Sequence, residues 1–330
     1  MGLERVQAGK ETTRGTAVAA DTMILGEVKF APDVTPVIPL DNIGLNVNGY
    51  RAVTGGKLVT NTLNVPRGYF QILPLLFSLF LKGGVTAAEK TTGQGDYLWD
   101  FTPNLDGTTN APDTVTLEFG DSAQAFEVEY VMGEKLSISG SVPQDGGDAP
   151  ISLSLDFFGR QNTKTSFTAS LAKPVVNELS GYLTRLYVDD TWAAVGTTEK
   201  TSILRAFDIE MIGGKYPQFH GGTTLTFDSF GEGKISGMCT LTLDTAAAAI
   251  ALYDAIGTMK VFNLLLEGPA IGTGKKHTLD LAFSGIIMEP KPGDSKDKET
   301  SLTTIQIEFV YDPTGAKIVV PKVITNVSAI

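Results

Sequence analysis

The chain contains only two histidines, the residue type that most often serves as a catalytic base or a zinc ligand. His220 precedes Gly221-Gly222 and is typical of a turn, whereas His277 begins a predicted strand after two lysines. Neither has the context that a nucleophilic triad or a zinc site requires, and the sequence contains no GxSxG, HExxH or CxxC motif. We therefore expect no catalytic site, no metal site, no cofactor and no enzymatic activity.

Three further segments approach the patterns of ligand-binding loops without matching them. Gly268–Thr278 is rich in glycine and lysine, but its spacing differs from that of a phosphate-binding loop. A strand pattern also follows it, where such a loop needs a helix N-terminus. Asp294–Glu299 alternates carboxylates with lysines and lacks the central glycine of a calcium loop. Both segments are more typical of hairpin loops, and the pair Asp189-Asp190 is more typical of a turn than of a cation site.

Charge and cysteine content exclude other classes of protein. The formal net charge of −11 argues against a protein that clamps nucleic acid, because such proteins cluster cations against the phosphates. Cys239 is the only cysteine, so no disulfide can form within the chain. The N-terminal segment lacks the apolar run of a signal peptide, and the most apolar stretch, Tyr69–Leu81, is too short to span a bilayer. We expect a soluble chain, made in the cytoplasm, that does not insert into membranes.

A pair of alternating strands occurs twice in the same order. The first copy is Lys135–Val142 followed by Ile151–Arg160, and the second is Leu279–Ile286 followed by Leu302–Asp312. Within the copies, a Ser-Gly pair and then an acidic-aromatic pair recur in sequence, and only the loop between the strands differs in length. A duplicated β unit of this size is more typical of an assembly subunit than of an enzyme with one cleft.

Each half also contains one predicted helix. Arg67–Lys82 and Ala246–Ile256 are apolar segments bounded by helix start and stop residues. Each half therefore consists of strands, one helix and further strands, which predicts a mainly-β fold. The predicted divisions are an N-terminal arm at 1–22, a first β unit at 23–165, a connector at 166–199, a second β unit at 200–315 and a C-terminal tail at 316–330.

One face of the predicted strands is small, hydroxylic or acidic, while the opposite face is leucine, isoleucine and phenylalanine. The residues of the polar face are Glu127, Glu129, Ser137, Ser139, Ser152, Ser154, Asp156, Asp280, Ser284, Thr304, Gln306 and Glu308. An ordinary sheet with one face in water has this pattern, and so does a sheet that lines a water-filled channel. The alternation alone does not distinguish the two.

An ordered set of segments resembles a known family. The segments are GLERVQAGKETTRGTA, YLWDFTPN, TVTLEFGD, the pair KLSISGSV and ISLSLDFFGRQ, and TTIQIEFVYDPTG, which together span nearly the whole chain. They are similar to tail tube proteins of long, flexible-tailed (siphovirus-type) bacteriophages, in the subgroup with two tandem tube domains. The resemblance implies two tandem β-sandwich domains, each with one helix packed on it, whose strands join a β-barrel between subunits.

The resemblance also implies an assembly and its partners. Three copies would close a ring of pseudo-sixfold symmetry, and stacked rings would form the tail tube of the virion, assembled in the host bacterial cytoplasm. A tape-measure protein would fill the bore before double-stranded DNA passes, and tail-tip and tail-terminator proteins would bind the tube ends. An acidic, hydroxyl-rich wall would repel phosphate, so that DNA slides through.

Contacts between rings and subunits are expected from the N-terminal arm and from the loops Pro143–Ala149 and Glu289–Thr300. The candidate contact residues are Gln144, Asp145, Asp148, Lys291, Asp294, Lys296 and Asp297.

Two alternatives to a tail tube stay open. The chain could form the tube of a contractile or secretion-type injection system, although such subunits more often have one domain. It could instead be a β-sandwich binding module, for carbohydrate for example. That function would need exposed aromatic residues clustered on one face, and the only tryptophans, Trp99 and Trp192, lie far apart in sequence.

Overall fold

The computed structural model describes residues 4–40, 49, 51–143, 145–222, 225–297 and 300–330, with the backbone alone described for 247–248, 289–290, 292–296 and 300. Most of the regular structure is antiparallel β-strand, and the mainly-β prediction is confirmed. The arrangement as two tandem β-sandwiches remains a prediction.

In the described residues of the first half, the strands are short apart from one of 17 residues, and one apolar helix lies among them. The strands are β1 (Arg5–Lys10), β2 (Thr22–Ile24), β3 (Pro36–Val37), β4 (Val53–Thr54), β5 (Val59–Val65), β6 (Ala88–Glu89), β7 (Tyr97–Asp100), β8 (Val115–Gly120), β9 (Ala125–Ser141), β10 (Ser152–Gly159) and β11 (Asn162–Thr165). The helix α1 (Leu73–Phe80) lies between β5 and β6.

Longer strands dominate the second half. They are β12 (Thr184–Asp189), β13 (Leu204–Ile212), β14 (Lys215–Gln218), β15 (Ser229–Glu232), β16 (Ser236–Asp244), β17 (Met259–Ala270), β18 (Lys276–Asp297), β19 (Thr300–Phe309) and β20 (Val319–Thr325). A single turn of helix, α2 (Ala247–Ile250), follows β16.

The helix predicted at Arg67–Lys82 is confirmed in its central part, where α1 follows a 3-10 turn at Phe70–Ile72. Every side chain of α1 is buried, which explains why its sequence is apolar on all sides. Pro74 lies in the first turn, where its missing N–H removes no helical hydrogen bond. The helix ends before Gly84, whose φ of 65° suits glycine.

The helix predicted at Ala246–Ile256 is wrong beyond Ile250. The chain continues with i to i−3 hydrogen bonds instead, such as the Tyr253 N–H to the Ile250 carbonyl at 2.9 Å. Ala249 and Leu252 are buried and Ala255 packs against the same core. These three residues are spaced three apart, which matches the repeat of a 3-10 helix. Packing of their side chains therefore outweighs the α-helix propensity of the alanine run.

The two halves join in one sixteen-stranded sheet. β9 of the first half pairs with β13 of the second, and β7 pairs with β20. β12, in the predicted connector, pairs with β17, and β20, in the predicted tail, lies between β18 and β7. Connector and tail are therefore parts of the sheet, and strand pairing crosses the predicted divisions at 165 and 315.

The expectation that residues 1–22 form an arm without core contacts is wrong for the described part of that segment. β1 lies between β2 and β8, and Val6 and Ala8 are buried. The buried Glu11 fixes the end of this strand, since its carboxylate accepts hydrogen bonds from the Thr114 hydroxyl at 2.7 Å and the Tyr130 N–H at 2.7 Å. The sequence pattern did not predict this, because a polar residue such as Glu11 is buried here together with its hydrogen-bond partners.

The main hydrophobic cluster draws on both halves. It contains Phe77 and Phe80 from α1, Leu155 from β10, Leu241 from β16 and Ile307 from β19. The sheet and α1 therefore share one core. Within the described ranges, no helix is long and apolar enough to cross a membrane.

Candidate functional site

A continuous series of strands places polar side chains from both halves on one surface. The strands lie side by side in the order β5, β10, β9, β13, β16, β19 and β18. Along each strand, buried apolar residues such as Leu136 and Ile138 alternate with partly exposed polar ones such as Ser137 and Ser139. Because alternate residues of a strand share a face, the polar residues form a single surface, which we call the polar sheet face.

The strand register places the polar residues in rows across the sheet. One row is Ser152, Ser139, Asp208, Thr240 and Gln306. The next row is Asn64, Ser154, Ser137, Glu210, Met238 and Glu308. Asp156 lies opposite Lys135, and Thr304 lies opposite Thr242. The structure therefore brings together the predicted residues Ser137, Ser139, Ser152, Ser154, Asp156, Thr304, Gln306 and Glu308.

Asp208 and Glu210, which were not among the predicted residues, contribute two carboxylates to the middle of the polar sheet face. Their signal was present, because they alternate with the apolar residues of β13. It was missed because β13 lies outside the duplicated strand pairs, and its position between β9 and β16 is fixed only by pairing between the halves.

The carboxylates surround one ammonium group. Lys135 Nζ lies 3.2 Å from Asp156 Oδ2 and 3.3 Å from Glu210 Oε2, and these contacts, first of all the one to Asp156, raise the pKa of Lys135. Partial desolvation raises the pKa of Asp208, and the neighbouring Glu210 raises it further, whereas Lys135 lowers it. The cation is thus neutralised by two carboxylates, so it offers little attraction to a phosphate.

Several hydroxyl groups of the polar sheet face form hydrogen bonds with side chains on the neighbouring strand. Ser139 Oγ and Ser152 Oγ are 2.8 Å apart, and Thr62 Oγ1 donates to Asp156 Oδ1 at 2.7 Å. These bonds occupy donors that would otherwise be available to a ligand. The surface is polar and acidic, and some of its donors are satisfied within the sheet.

A shallow apolar recess of about 390 Å³ interrupts the polar sheet face near the start of β16. Its apolar side chains, Ile212, Met238 and Met288, are partly exposed beside Glu210 and Glu308. The polar sheet face therefore carries both apolar and acidic side chains at this end.

Glu127 and Glu129 lie outside the polar sheet face, so the prediction that they share it is wrong. Their part of β9 pairs with β8 and β11, and Tyr130, with a φ of 57°, separates it from the part that pairs with β10 and β13. Burial raises the pKa of both carboxyl groups, and Glu118 raises that of Glu127 further. A left-handed residue within a long strand cannot be recognised from alternation alone.

Asp280 and Ser284 also lie elsewhere. Ser284 is fully buried, and its Oγ lies 2.6 Å from the Val310 carbonyl oxygen and 3.2 Å from that of Lys317, so the prediction that it faces a channel is wrong. Asp280 lies on the part of β18 that pairs with β17 and β20, beneath Trp192.

The predicted loop Glu289–Thr300 is largely strand, because β18 continues to Asp297 and β19 begins at Thr300. Lys291 is exposed and lies opposite Thr304, and Asp297 lies opposite Thr300. The side chains of Asp294 and Lys296 are outside the described part of the structure. Register shifts near Pro292 let the strand accommodate proline.

The predicted loop Pro143–Ala149 does connect β9 to β10. Asp145 accepts a hydrogen bond from the Gly147 N–H at 3.0 Å. Asp148 pairs with Arg67, which also pairs with Glu178 at 2.7 Å. Gln144 lies outside the described residues.

The histidines are placed in structural roles. His277 is buried against Phe70, its Nε2 lies 3.0 Å from Asn177 Nδ2, and burial lowers its pKa. His220 pairs with Asp228 at 2.6 Å in an exposed turn. No group of three or more His, Cys, Asp or Glu side chains suited to a metal ion occurs among the residues that the structure describes.

The chain matches no model of a known protein family. No curated protein matches its sequence either.

Proposed function

We propose that the chain is a non-enzymatic structural subunit of a phage tail tube, whose copies close into rings that stack into a hollow tube. The observation that carries the proposal is the polar sheet face, because both halves of one chain supply strands to it. Two repeat units per chain and three chains per ring would give pseudo-sixfold symmetry. The similarity of the segments named above to tail tube proteins supports the same function.

Both margins of this series of strands offer backbone groups to a neighbouring chain. Beyond Ile286, β18 has β19 on one side, while its pairing with β17 has ended and its other side carries a short bridge between Ile287 and Ile256. At the other margin, β5 pairs with β10, and its outer side carries a short bridge between Glu27 and Asn64 and a hydrogen bond from the Leu58 N–H to the Asp33 carbonyl. Open strand edges favour pairing with another chain, so joining β18 of one copy to β5 of the next would close a barrel.

The chemistry of the polar sheet face suits the passage of DNA. Asp208, Glu210 and Glu308 repel phosphates, and Lys135 is already paired with carboxylates. A wall of this kind provides few of the cationic contacts from which nonspecific DNA binding gains its affinity. Double-stranded DNA would therefore slide through the tube without binding it tightly.

The proposed partners follow from the same assembly. They are further copies of the chain, a tape-measure protein inside the tube, and tail-tip and tail-terminator proteins at its ends. The proposed location is the virion, after assembly in the host bacterial cytoplasm, and the function requires no cofactor.

Electron microscopy of the purified chain over a concentration series, with mass photometry alongside, tests this proposal. We expect threefold rings or hollow tubes, and tubes should form more readily when preformed tail-tip complexes are added. A chain that stays monomeric at high concentration, even with those complexes, would overturn the proposal.

An edge variant tests the position of the joint. Asn64 directs its N–H away from β10, to the Glu27 carbonyl at 2.9 Å, so Thr60 on the same strand directs its N–H outward as well. Thr60→Pro removes this donor, whereas the matched control Thr60→Ala keeps it. We expect the proline variant to fold without forming tubes and the alanine variant to form them. Equal assembly of both would show that β5 is not the joint.

A further inference from the structure

A recess of about 270 Å³ lies on the sheet formed by β12, β17, β18 and β20, away from the polar sheet face. The loop after β12 covers it and places Trp192 over the strands. Asp189 fixes this loop, because its carboxylate accepts hydrogen bonds from the Gly196 N–H at 2.9 Å and the Thr198 N–H at 3.0 Å. The recess is therefore a built feature of the fold.

Three buried polar atoms around this recess have no hydrogen-bond partner within the described chain, although another side-chain hydrogen bond joins Asn263 to the Asp280 carboxyl group. They are Trp192 Nε1, Asn263 Oδ1 and Asp280 Oδ1. Trp192 is 8% exposed and Asn263 is 6% exposed. Because buried polar atoms are almost always hydrogen-bonded, one donor and two acceptors beside one recess are groups that a bound ligand could pair.

The charges around the recess balance. Lys317 Nζ lies 5.3 Å from the centroid of the Trp192 ring, and Lys322 lies 3.9 Å from Asp100 and near Asp280. Two ammonium groups oppose the entry of a cation, while Asp280 and Asp100 oppose an anion. A neutral ligand with hydroxyl groups fits both the charges and the unpaired atoms.

We propose that this recess binds a neutral polyhydroxylated ligand the size of one sugar ring. Ligand hydroxyls would donate to Asp280 Oδ1 and Asn263 Oδ1, and a ligand oxygen would accept from the Trp192 indole N–H. The volume is below the range of about 300–1,000 Å³ for drug-sized sites, which suits a single ring. This inference does not depend on the proposed tube.

Trp192 must move for the ligand to reach these atoms, because none of the three is exposed to solvent. Trp99, the other tryptophan, is buried, and its Nε1 donates to the Val327 carbonyl at 2.9 Å. A change in tryptophan fluorescence on binding should therefore come from Trp192. A Trp99→Phe background isolates that signal.

The test titrates the full chain in this background with methyl β-D-glucopyranoside, methyl N-acetyl-β-D-glucosaminide and glycerol, and with chitotriose to distinguish a glycan end from a free sugar. We expect a saturable change with at least one sugar and none with glycerol. Asp280→Asn should weaken binding about tenfold, because a hydrogen bond to a carboxylate is stronger than one to an amide. Asp190→Asn, on the same loop but paired with Lys260, is the matched control and should bind normally.

Two results would overturn the proposal. One is the absence of saturable binding for every sugar up to its solubility limit. The other is equal binding by Asp280→Asn and Asp190→Asn, with circular dichroism showing that both are folded.

Discussion

Ser137 on β9 lies directly opposite Glu210 on β13, and this pairing joins the first half of the chain to the second. Directly opposed residues in an antiparallel pair project from the same face of the sheet. The polar sheet face therefore crosses the junction between β9 and β13, and Lys135 contacts carboxylates on both sides of that junction. Strands from both halves therefore form one surface, which is the property that a wall built from both halves requires.

Ser284 and Ser139 should respond differently to the same substitution. Ser284→Ala removes a buried hydroxyl that bonds the Val310 carbonyl, and we expect it to lower the free energy of unfolding by about 1–2 kcal/mol. Ser139→Ala, on the polar sheet face, should change it by less than about 0.5 kcal/mol. Urea denaturation followed by circular dichroism measures both. Equal effects would contradict the separation of these serines.

Gly213 should tolerate no side chain. A Cβ atom at this position would lie 2.3 Å from the Phe80 carbonyl oxygen, at the end of α1, where backbone cannot easily move away. We expect Gly213→Ala to lower the free energy of unfolding by about 1–3 kcal/mol. Gly221→Ala is the control, since a methyl group there meets no atom of the described chain. If Gly221→Ala lowered the stability of the chain and Gly213→Ala did not, this packing would be contradicted.

Alternation in the sequence predicted the polar sheet face because the side-chain period of a strand is fixed. Ser152 and Ser154 on β10 and Thr304 and Gln306 on β19 lie where this period places them. The partners of each strand were not predictable in the same way. β13 joins β9 through contacts between residues distant in sequence, and no local pattern specifies such a pairing.

The errors have local causes. In β1, only Val6 and Ala8 are apolar residues that alternate with a polar one, and this pattern is too short to predict a strand; the polar Gln7 between them is itself buried. Asp280 and Ser284 follow the alternation of β18, but the loop that carries Trp192 covers the face to which Asp280 belongs. Alternation shows which residues share a face, whereas what covers that face depends on segments elsewhere in the chain.

Asp208 should make stability depend on pH. Its pKa is raised in the folded chain, so the folded state holds this proton more tightly than the unfolded state does. Its contribution to stability is therefore greatest in acid and is lost as pH rises from the ordinary aspartate range through the raised pKa. We expect Asp208→Asn to stabilise the chain at neutral pH, by about 0.3 kcal/mol because the side chain is exposed, and to have no effect in acid.

Lys135 provides the companion test, because it lowers the pKa of Asp208. Lys135→Met should raise the pKa of Asp208 further, measured from its carboxyl carbon chemical shift over a pH titration. An unchanged pKa, or a stabilisation by Asp208→Asn that is equal at all pH values, would contradict the coupling between these groups.

Reversing the charge of the polar sheet face should make this surface bind DNA, which is otherwise expected to slide along it. The double substitution of Asp208 and Glu210 by lysine replaces two carboxylates with two cations beside Lys135. Each added phosphate contact should steepen the salt dependence of DNA binding by about one unit of slope. We expect the variant to retain double-stranded DNA at low salt in a filter-binding assay, while the unaltered protein does not.

The control for this reversal carries the same charge change elsewhere. Asp106 and Asp121 lie in loops between strands, so substituting both by lysine adds equal charge away from the polar sheet face. In assembled tubes, the face variant should retain DNA that nuclease cannot reach, because the lysines would lie inside the bore. DNA held by the loop variant should remain open to digestion. If nuclease removes DNA equally from both, the polar sheet face does not line the channel.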